Sequence, residues 1–360
     1  MLNEKIGGLL NVPFKKWFTV SLTLFTTVGF MNVALANYDD CCQDPCCCET
    51  ANFTLYADFI YWQVRPDATE FVRQGGISGS VSQETSEEGK VFSVGCDFEP
   101  GFRIGAIFDL NCCEWDAFAQ YTFLIERMTH SVNVDFGVTG VAPIIFNLGG
   151  LTDVNFAKGD WHSDFNAVDF GFGRTFEVNC CYAFRPHFGL KATWQEFKFD
   201  VTYERIVSTT TTNMDRILLH SEFDGIGLRG GFDAAWKFSS SFSFVGGFAV
   251  STLYSDWHTE RVDWRFIVVD DVGGIGVKNV DLKQHSCILI PVVELQAGVQ
   301  FETETCDCYR IFAMLGYENQ VWWGVNRFIL FGNSTNNNNI THSSGNLTFQ
   351  GLVLRAGVAY

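Results

Sequence analysis

The 360-residue chain has few charged side chains, few prolines and few basic groups. Charged residues make up 18%, which is low for the surface of a soluble protein, and proline occurs only 7 times. The formal net charge is −17, so the basic surface that is typical of nucleic-acid binding is missing. A mean hydropathy of +0.08 is too low for a protein with several transmembrane helices. A hydrophobic fraction of 47% still provides enough apolar material for a folded core.

The one long apolar run lies near the start of the chain. Lysines precede the apolar stretch 17–33, and the small-residue sequence Ala-Leu-Ala follows at 34–36. This pattern predicts a secretory signal peptide over residues 1–36, with Asn37 as the first mature residue. The alternative is an N-terminal membrane anchor, which the short length of the run disfavours. An exported chain folds in an oxidising compartment.

Beyond this segment, apolar and polar residues alternate with a period of two. Two alternating segments flank the short turn 111–114, and the same arrangement recurs around 179–182, 239–241 and 303–308. Such alternation predicts β-strands with one apolar and one polar face. Ten segments show it: 51–63, 99–110, 115–127, 164–178, 182–200, 220–238, 242–256, 284–302, 308–325 and 347–360.

The short turns alternate with long connections. We predict loops over 64–98, 128–163, 201–219, 255–284 and 327–346, because these stretches are rich in Gly, Thr, Ser, Asn and Asp. Further hairpins are expected around Val132–Val141 and Val262–Val277. We therefore predict an all-β fold, a transmembrane antiparallel up-and-down β-barrel of 10–14 strands over residues 51–360, with short periplasmic turns and long outer loops. A soluble, aromatic-rich β core is the alternative.

The last segment alternates up to the final residue, Tyr360. An aromatic residue at the end of a C-terminal strand resembles the signal that the outer-membrane assembly machinery reads. We predict that Tyr360 is this assembly signal. The location is then the bacterial outer membrane, and the partners are outer-membrane lipid and the barrel-assembly machinery.

Cysteine is abundant, with 13 residues that all follow the predicted signal peptide. Five of them lie in residues 37–50, which we predict as a cysteine-rich periplasmic segment. An odd number in an exported chain requires a free thiol or a bond to another chain. We predict disulfides, some within the barrel and some to neighbouring envelope proteins, from Cys41, Cys42, Cys46, Cys47, Cys48, Cys112, Cys113, Cys180, Cys181, Cys306 and Cys308. Metal binding by these clusters is the alternative, but their spacing does not match a zinc motif, and we predict neither metal nor cofactor.

Three aromatic-rich segments carry a family resemblance. Residues 52–62, 101–105 and 115–119, with the turn cysteines and Tyr360, are similar to the major outer-membrane porins of the chlamydial order. The similarity is closer to the Legionella-type major outer-membrane protein family found in Chlamydia-related bacteria. This resemblance implies a surface-exposed porin that disulfides link to the envelope, and a homotrimer.

If the apolar faces point to lipid, the opposite faces line the lumen. The predicted pore-lining residues are Arg103, Asp109, Arg185, Lys191, Arg229, Asp233, Lys237, Arg310 and Arg355. A lining of mixed charge predicts passive diffusion of ions and small solutes, with a long loop such as 128–163 folded inward as a constriction. The alternative is that these residues form salt bridges that fill a closed barrel, which leaves a structural or adhesive surface barrel. Neither GxSxG nor HExxH occurs, so we predict no enzyme.

Overall fold

The chain folds into ten long antiparallel strands. The computed structural model describes residues 53–74, 89–110, 114–135, 141–145, 151, 153–179, 181–208, 211–269, 274, 276–304, 309–331 and 340–360. The long strands are β1 (Phe53–Pro66), β2 (Phe98–Asp109), β3 (Trp115–Asn133), β4 (Phe156–Arg174), β5 (Tyr182–Ser208), β6 (Thr211–Lys237), β7 (Phe242–Val269), β8 (Val277–Glu304), β9 (Arg310–Asn326) and β10 (Gly345–Ala359). No helix long and apolar enough to cross a membrane occurs in the part of the chain that is described.

The ten strands close into a barrel. Each strand pairs with its neighbour in the sequence, and β1 also pairs with β10, from Thr54 opposite Ala359 to Pro66 opposite Leu347. Beyond this seam, the amide of Phe53 donates to the carbonyl of Tyr360, and the amide of Tyr360 donates back. The ring of ten strands is closed, which confirms the predicted up-and-down barrel. β8 pairs with β9 only from Val292 onward, so its residues 277–291 extend beyond β9.

The remaining strands are short. Glu70–Gln74, Lys90–Ser93 and Ala142–Pro143 form a three-stranded sheet, and Ile329–Phe331 pairs with Ile340–His342. These elements belong to the connections β1–β2, β3–β4 and β9–β10, and we call the end of the barrel that carries them the loop end. Phe176–Asn179 pairs with the start of β5 at the opposite end, which we call the turn end. The turn end also holds Tyr360 and is the end predicted to face the periplasm.

Part-way along the barrel, the outward faces of the strands change from apolar to polar, and the inward faces change from polar to mainly apolar. We call the half next to the turn end the turn half and the half next to the loop end the loop half. In the turn half of β5, Phe188 and Leu190 point outward and are 56% and 45% exposed, whereas Lys191 points inward and is buried. In the loop half, Lys198 is exposed on the outside and Phe199 is buried inside. The turn half thus has the apolar exterior of a membrane barrel. The loop half has a polar exterior and a mainly apolar interior, as in a water-soluble barrel, although Arg261 and Asp263 form a buried ion pair there.

Some stretches were predicted as loops because their outward residues are polar, but the structure shows that they are strand. Strands β5 to β8 are 27 or 28 residues long, whereas about 9–11 residues suffice to cross a bilayer. Most of the predicted loops 201–219 and 255–284 are strand, since β5 ends at Ser208 and β6 begins at Thr211. The segment Val262–Val277 forms no additional hairpin, because its described strand residues are the end of β7 and the first residue of β8. Val132 lies in β3, and Val141 makes an isolated bridge to Val154.

The first barrel strand begins at Phe53, and the last ends at Ala359. The predicted signal peptide over 1–36 and the cysteine-rich segment over 37–50 lie outside the described residues.

The apolar band of the turn half gives a first testable prediction. Leu315 in β9 points outward at the middle of this band and is 59% exposed. We expect Leu315→Arg to lower the free energy of unfolding by about 2–4 kcal/mol, because a guanidinium there faces hydrocarbon. The matched control is Leu218→Arg, on the outward face of the loop half of β6, where water solvates the charge. Chemical unfolding in lipid vesicles, followed by tryptophan fluorescence, measures both. Equal effects of the two substitutions would place the bilayer elsewhere.

Candidate functional site

The structure places all nine predicted pore-lining residues on the inward face of the barrel. Arg103, Arg185, Lys191, Lys237 and Arg355 are buried there. The remaining four, Asp109, Arg229, Asp233 and Arg310, are half-buried. The buried cations all contact carboxylates, and these contacts form distinct groups inside the turn half.

One group centres on Asp58 in β1. Arg355 from β10 holds this carboxylate with two hydrogen bonds, of 2.5 Å from Nε and 2.7 Å from Nη2. Arg103 from β2 contacts Asp58 at 3.2 Å and donates two hydrogen bonds, of 3.0 and 2.8 Å, to Glu318 in β9. Such forked pairs are stronger than single ones, since two parallel donors meet two acceptors. The group thus joins four strands around the seam of the barrel.

A second group crosses the lumen. Lys191 in β5 lies 2.9 Å from a carboxylate oxygen of Asp169 in β4 and 2.7 Å from Glu294 in β8. Arg229 in β6 donates to Glu294 at 2.9 Å and lies 3.5 Å from Asp169. Lys191, Asp169 and Glu294 are each less than 10% exposed. Two cations therefore neutralise two carboxylates, and the pairs span the barrel from β4 to β8.

Two further groups lie nearer the turn end. Arg185 in β5 forms a forked pair with Asp116 in β3 and donates to Asp233 in β6 at 2.8 Å. Lys237 at the end of β6 lies 2.9 Å from Glu302 in β8. We call these four groups together the ion-pair layer. A partly open cavity of about 70 Å³ remains within this layer, lined in part by Arg103, Arg185, Arg229 and Glu294.

Aromatic side chains fill the lumen above the ion-pair layer. Trp62, Trp161, Trp257 and Trp322 point inward from four different strands and are at most 1% exposed. The ring of Phe165 in β4 lies 5.3 Å from the ring of Trp322 in β9. These two strands stand on opposite sides of the ten-stranded ring, so their contact spans its full width. We call the rings of Trp62, Trp161, Trp257, Trp322 and Phe165 the aromatic layer.

Two more contacts support the aromatic layer. Phe165 also lies 4.7 Å from Phe349 in β10, between ring centroids. The indole of Trp161 donates to the side-chain oxygen of Asn326 at 3.2 Å, again between β4 and β9. The aromatic layer was not predicted from the sequence.

The connections at the loop end pack onto the aromatic layer. Phe71, from the β1–β2 connection, is fully buried, and the hydroxyl of Tyr203 donates to its carbonyl at 2.5 Å. A methyl group on Gly159 would lie 3.0 Å from the ring of Phe71, so the absence of a side chain there makes room for it. Between β3 and β4, four residues of the predicted constriction 128–163 are buried in the same cluster, namely Val141, Ile145, Leu151 and Val154.

Tyr360 lies at the turn end, beside Tyr309, which directly precedes β9. Its ring is 63% exposed and stacks on Tyr309 with 5.0 Å between centroids. Of the predicted disulfide cysteines, Cys181 alone lies among the described residues, where it is half-buried. The other ten, at 41, 42, 46–48, 112, 113, 180, 306 and 308, are outside them.

The sequence matches a family model described as "Legionella pneumophila major outer membrane protein precursor" over residues 45–359. The match covers the whole barrel. The chain belongs to this family. The predicted family resemblance is therefore confirmed, and membership together with the barrel fold makes the chain an outer-membrane protein. No curated protein matches the chain.

Solved outer-membrane barrels are distantly similar to this family member. The outer-membrane protease OmpT from Escherichia coli is 11% identical, with a TM-score of 0.38, and the match covers 86% of this chain and 96% of OmpT. A FadL homologue from Pseudomonas aeruginosa is 7% identical, with a TM-score of 0.25 and coverage of 87% and 90%. The toluene transporter TodX from Pseudomonas putida is 7% identical, with a TM-score of 0.22 and coverage of 86% and 89%. These values are too low to support an inference about what this chain does.

Proposed function

We propose that the protein is a structural surface barrel of the outer membrane with a closed lumen. The observation that carries this proposal is the contact between Phe165 and Trp322, whose rings meet from opposite walls. A solute that enters from the loop end meets the aromatic layer first and the ion-pair layer next. Among the described residues, buried ion pairs occupy the first of these cross-sections of the lumen from the turn end, and packed rings occupy the next.

Opening such a lumen is energetically costly. Separating one partner from a buried ion pair costs about 3–5 kcal/mol, and several pairs in the ion-pair layer share their partners. Passage also requires rings of the aromatic layer to move apart and lose their packing. Both layers are carried by strands of a closed sheet rather than by a single loop, so one hinge cannot remove them.

If the lumen is closed, the function of the protein depends on its outer surface. We propose that the apolar band binds outer-membrane lipid, that the last strand engages the assembly machinery through Tyr360, and that the protein is not an enzyme. The clustered cysteines of the turn end and of residues 37–50 are proposed to link the barrel to neighbouring envelope proteins. Disulfides of this kind strengthen an envelope mechanically, which suits a barrel that does not conduct.

A porin for ions and small solutes is the second candidate. The observation in its favour is the ion-pair layer itself, because side chains of both signs line the part of the lumen that lies in the membrane. If the aromatic layer were displaced, the cavity in the ion-pair layer would open toward the loop end. The charged lining would then be the selectivity-determining surface.

Conductance in a planar bilayer separates the two candidates. We expect the refolded mature chain to give no stepwise currents, with or without reductant, while an open trimeric porin prepared in the same way gives them. A heat-modifiable shift on SDS gels confirms that the silent sample is folded. Stepwise conductance of the folded wild-type protein would overturn the closed-barrel proposal and establish the porin.

A further inference from the structure

A cluster of four potential metal ligands lies on the outer wall of the barrel, remote from the lumen. Asp256 and His258 of β7 lie opposite Cys287 and His285 of β8, respectively, in the strand register. All four side chains point outward in the loop half. One step toward the turn end, Tyr254 and Leu289 are 59% and 66% exposed, which marks the edge of the apolar band. The cluster therefore lies just outside the membrane.

The donor atoms are close enough to share one ion. The ligand atoms of Asp256, His285 and Cys287 all lie within 4.8 Å of one another. The thiol of Cys287 is 3.8 Å from a carboxylate oxygen of Asp256, which Nε2 of His285 also contacts. Ligands of a tetrahedral zinc ion with bonds of about 2.0–2.3 Å are separated by roughly 3.3–3.8 Å. Small rotations of exposed side chains reach that geometry.

His258 lies beside this group of three, and rotation of its exposed side chain is needed to bring a ring nitrogen to the shared ion. Its ring lies 4.7 Å from the ring of His285, between centroids. Two imidazoles, one thiolate and one carboxylate are four ligands, as a closed zinc site requires. The two negative ligands balance the double charge of the ion. A thiolate with imidazoles selects zinc and similar transition metals over calcium and magnesium, which bind to oxygen.

The scaffold favours binding. Both ligand pairs sit on directly opposed positions of two long strands. At these positions β7 is hydrogen-bonded to β6 on one side and to β8 on the other, whereas β8 pairs with β7 alone. A site built on strands keeps its ligands in place before the ion arrives. We propose that Asp256, His258, His285 and Cys287 bind one zinc ion on the outer wall of the barrel. This site is independent of whether the lumen conducts.

Protection of Cys287 from alkylation tests the site despite the many other cysteines. The full mature chain is reduced, refolded in detergent, freed of metal and treated with iodoacetamide with and without Zn²⁺. Mass spectrometry of peptides then gives the alkylation rate of each thiol. We expect Zn²⁺ to slow the alkylation of Cys287 by at least about tenfold, because a zinc-bound thiolate is a poor nucleophile. Cys96, another exposed thiol of the described residues, should react at the same rate in both samples.

His285→Ala and Asp256→Asn provide the ligand controls. Both positions are on the surface, so we expect the variants to fold, which heat-modifiable migration checks. Each should remove the protection of Cys287, whereas His162→Ala, on the outer wall of β4, should leave it intact. Equal alkylation rates of wild-type Cys287 with and without Zn²⁺ would overturn the proposal. So would protection that persists in His285→Ala.

Discussion

Replacing Lys191 by methionine should lower the free energy of unfolding by about 3–5 kcal/mol, which is much of the stability of an ordinary domain. Lys191 is 2% exposed and lies within 3 Å of both Asp169 and Glu294. Methionine keeps the length of the side chain but removes the charge, so two buried carboxylates keep Arg229 as their shared cation. Chemical unfolding in lipid vesicles, followed by tryptophan fluorescence, measures the loss.

Lys158→Met is the matched control. Lys158 forms an ion pair of similar length, 2.7 Å, with Asp160, but these side chains are 39% and 42% exposed. Pairs of this kind contribute about 0–1 kcal/mol, because water screens them. If Lys191→Met were as mild as this control, water would be screening the interior as it screens the surface. That result would favour an open, hydrated lumen and thus the porin.

The strand count followed from the sequence, whereas the strand lengths did not. All ten predicted segments correspond to barrel strands, because alternation with a period of two is a direct result of strand geometry. In the loop half the alternation continues, but the apolar residues point inward and the polar residues point outward. Thr202 and Glu204 of β5 point outward on either side of the buried Tyr203, and Val201 is buried as well. Such polar outward residues were interpreted as a loop, since the sequence does not mark the height at which the bilayer ends.

The sequence predicts which cations of the candidate site point inward. It predicts less well which carboxylates they pair with. The inward position of Arg103, Lys191 and Arg229 follows from the strand period. The same period places Asp169 and Glu318 inward, and these two acids were missed although the signal was present. Which cation pairs with which acid depends on contacts across the barrel, and therefore on its diameter. No local pattern in the sequence contains that distance.

The aromatic layer was missed for two different reasons. Trp161 and Trp257 lie in segments that were predicted as loops, so their inward direction was not considered. Phe165 and Trp322 lie in predicted strands, but their contact joins residues 157 positions apart in the sequence. Alternation gives the face of a strand and not the residue that it meets on the opposite wall. The choice between an open and a closed lumen therefore required the structure.

Truncating Trp322 to alanine should lower the free energy of unfolding by about 3–5 kcal/mol, because the change leaves a large cavity among packed rings. Trp322 is fully buried, whereas its sequence neighbour Trp323 points outward and is 39% exposed. Trp323→Ala is thus a control with the same chemistry, and we expect it to cost clearly less. A double-mutant cycle with Phe165→Ala measures the contact itself, for which a coupling of about 0.5–1.5 kcal/mol is expected.

The same two truncations also test the closed lumen. If the aromatic layer blocks the outer half, the folded double variant Phe165→Ala, Trp322→Ala should conduct more often than the silent wild type. The ion-pair layer remains in this variant, so we expect brief and small openings rather than a wide pore. A coupling energy near zero would mean that Phe165 and Trp322 do not pack against each other across the lumen. The closed-barrel proposal would then lose the contact on which it rests.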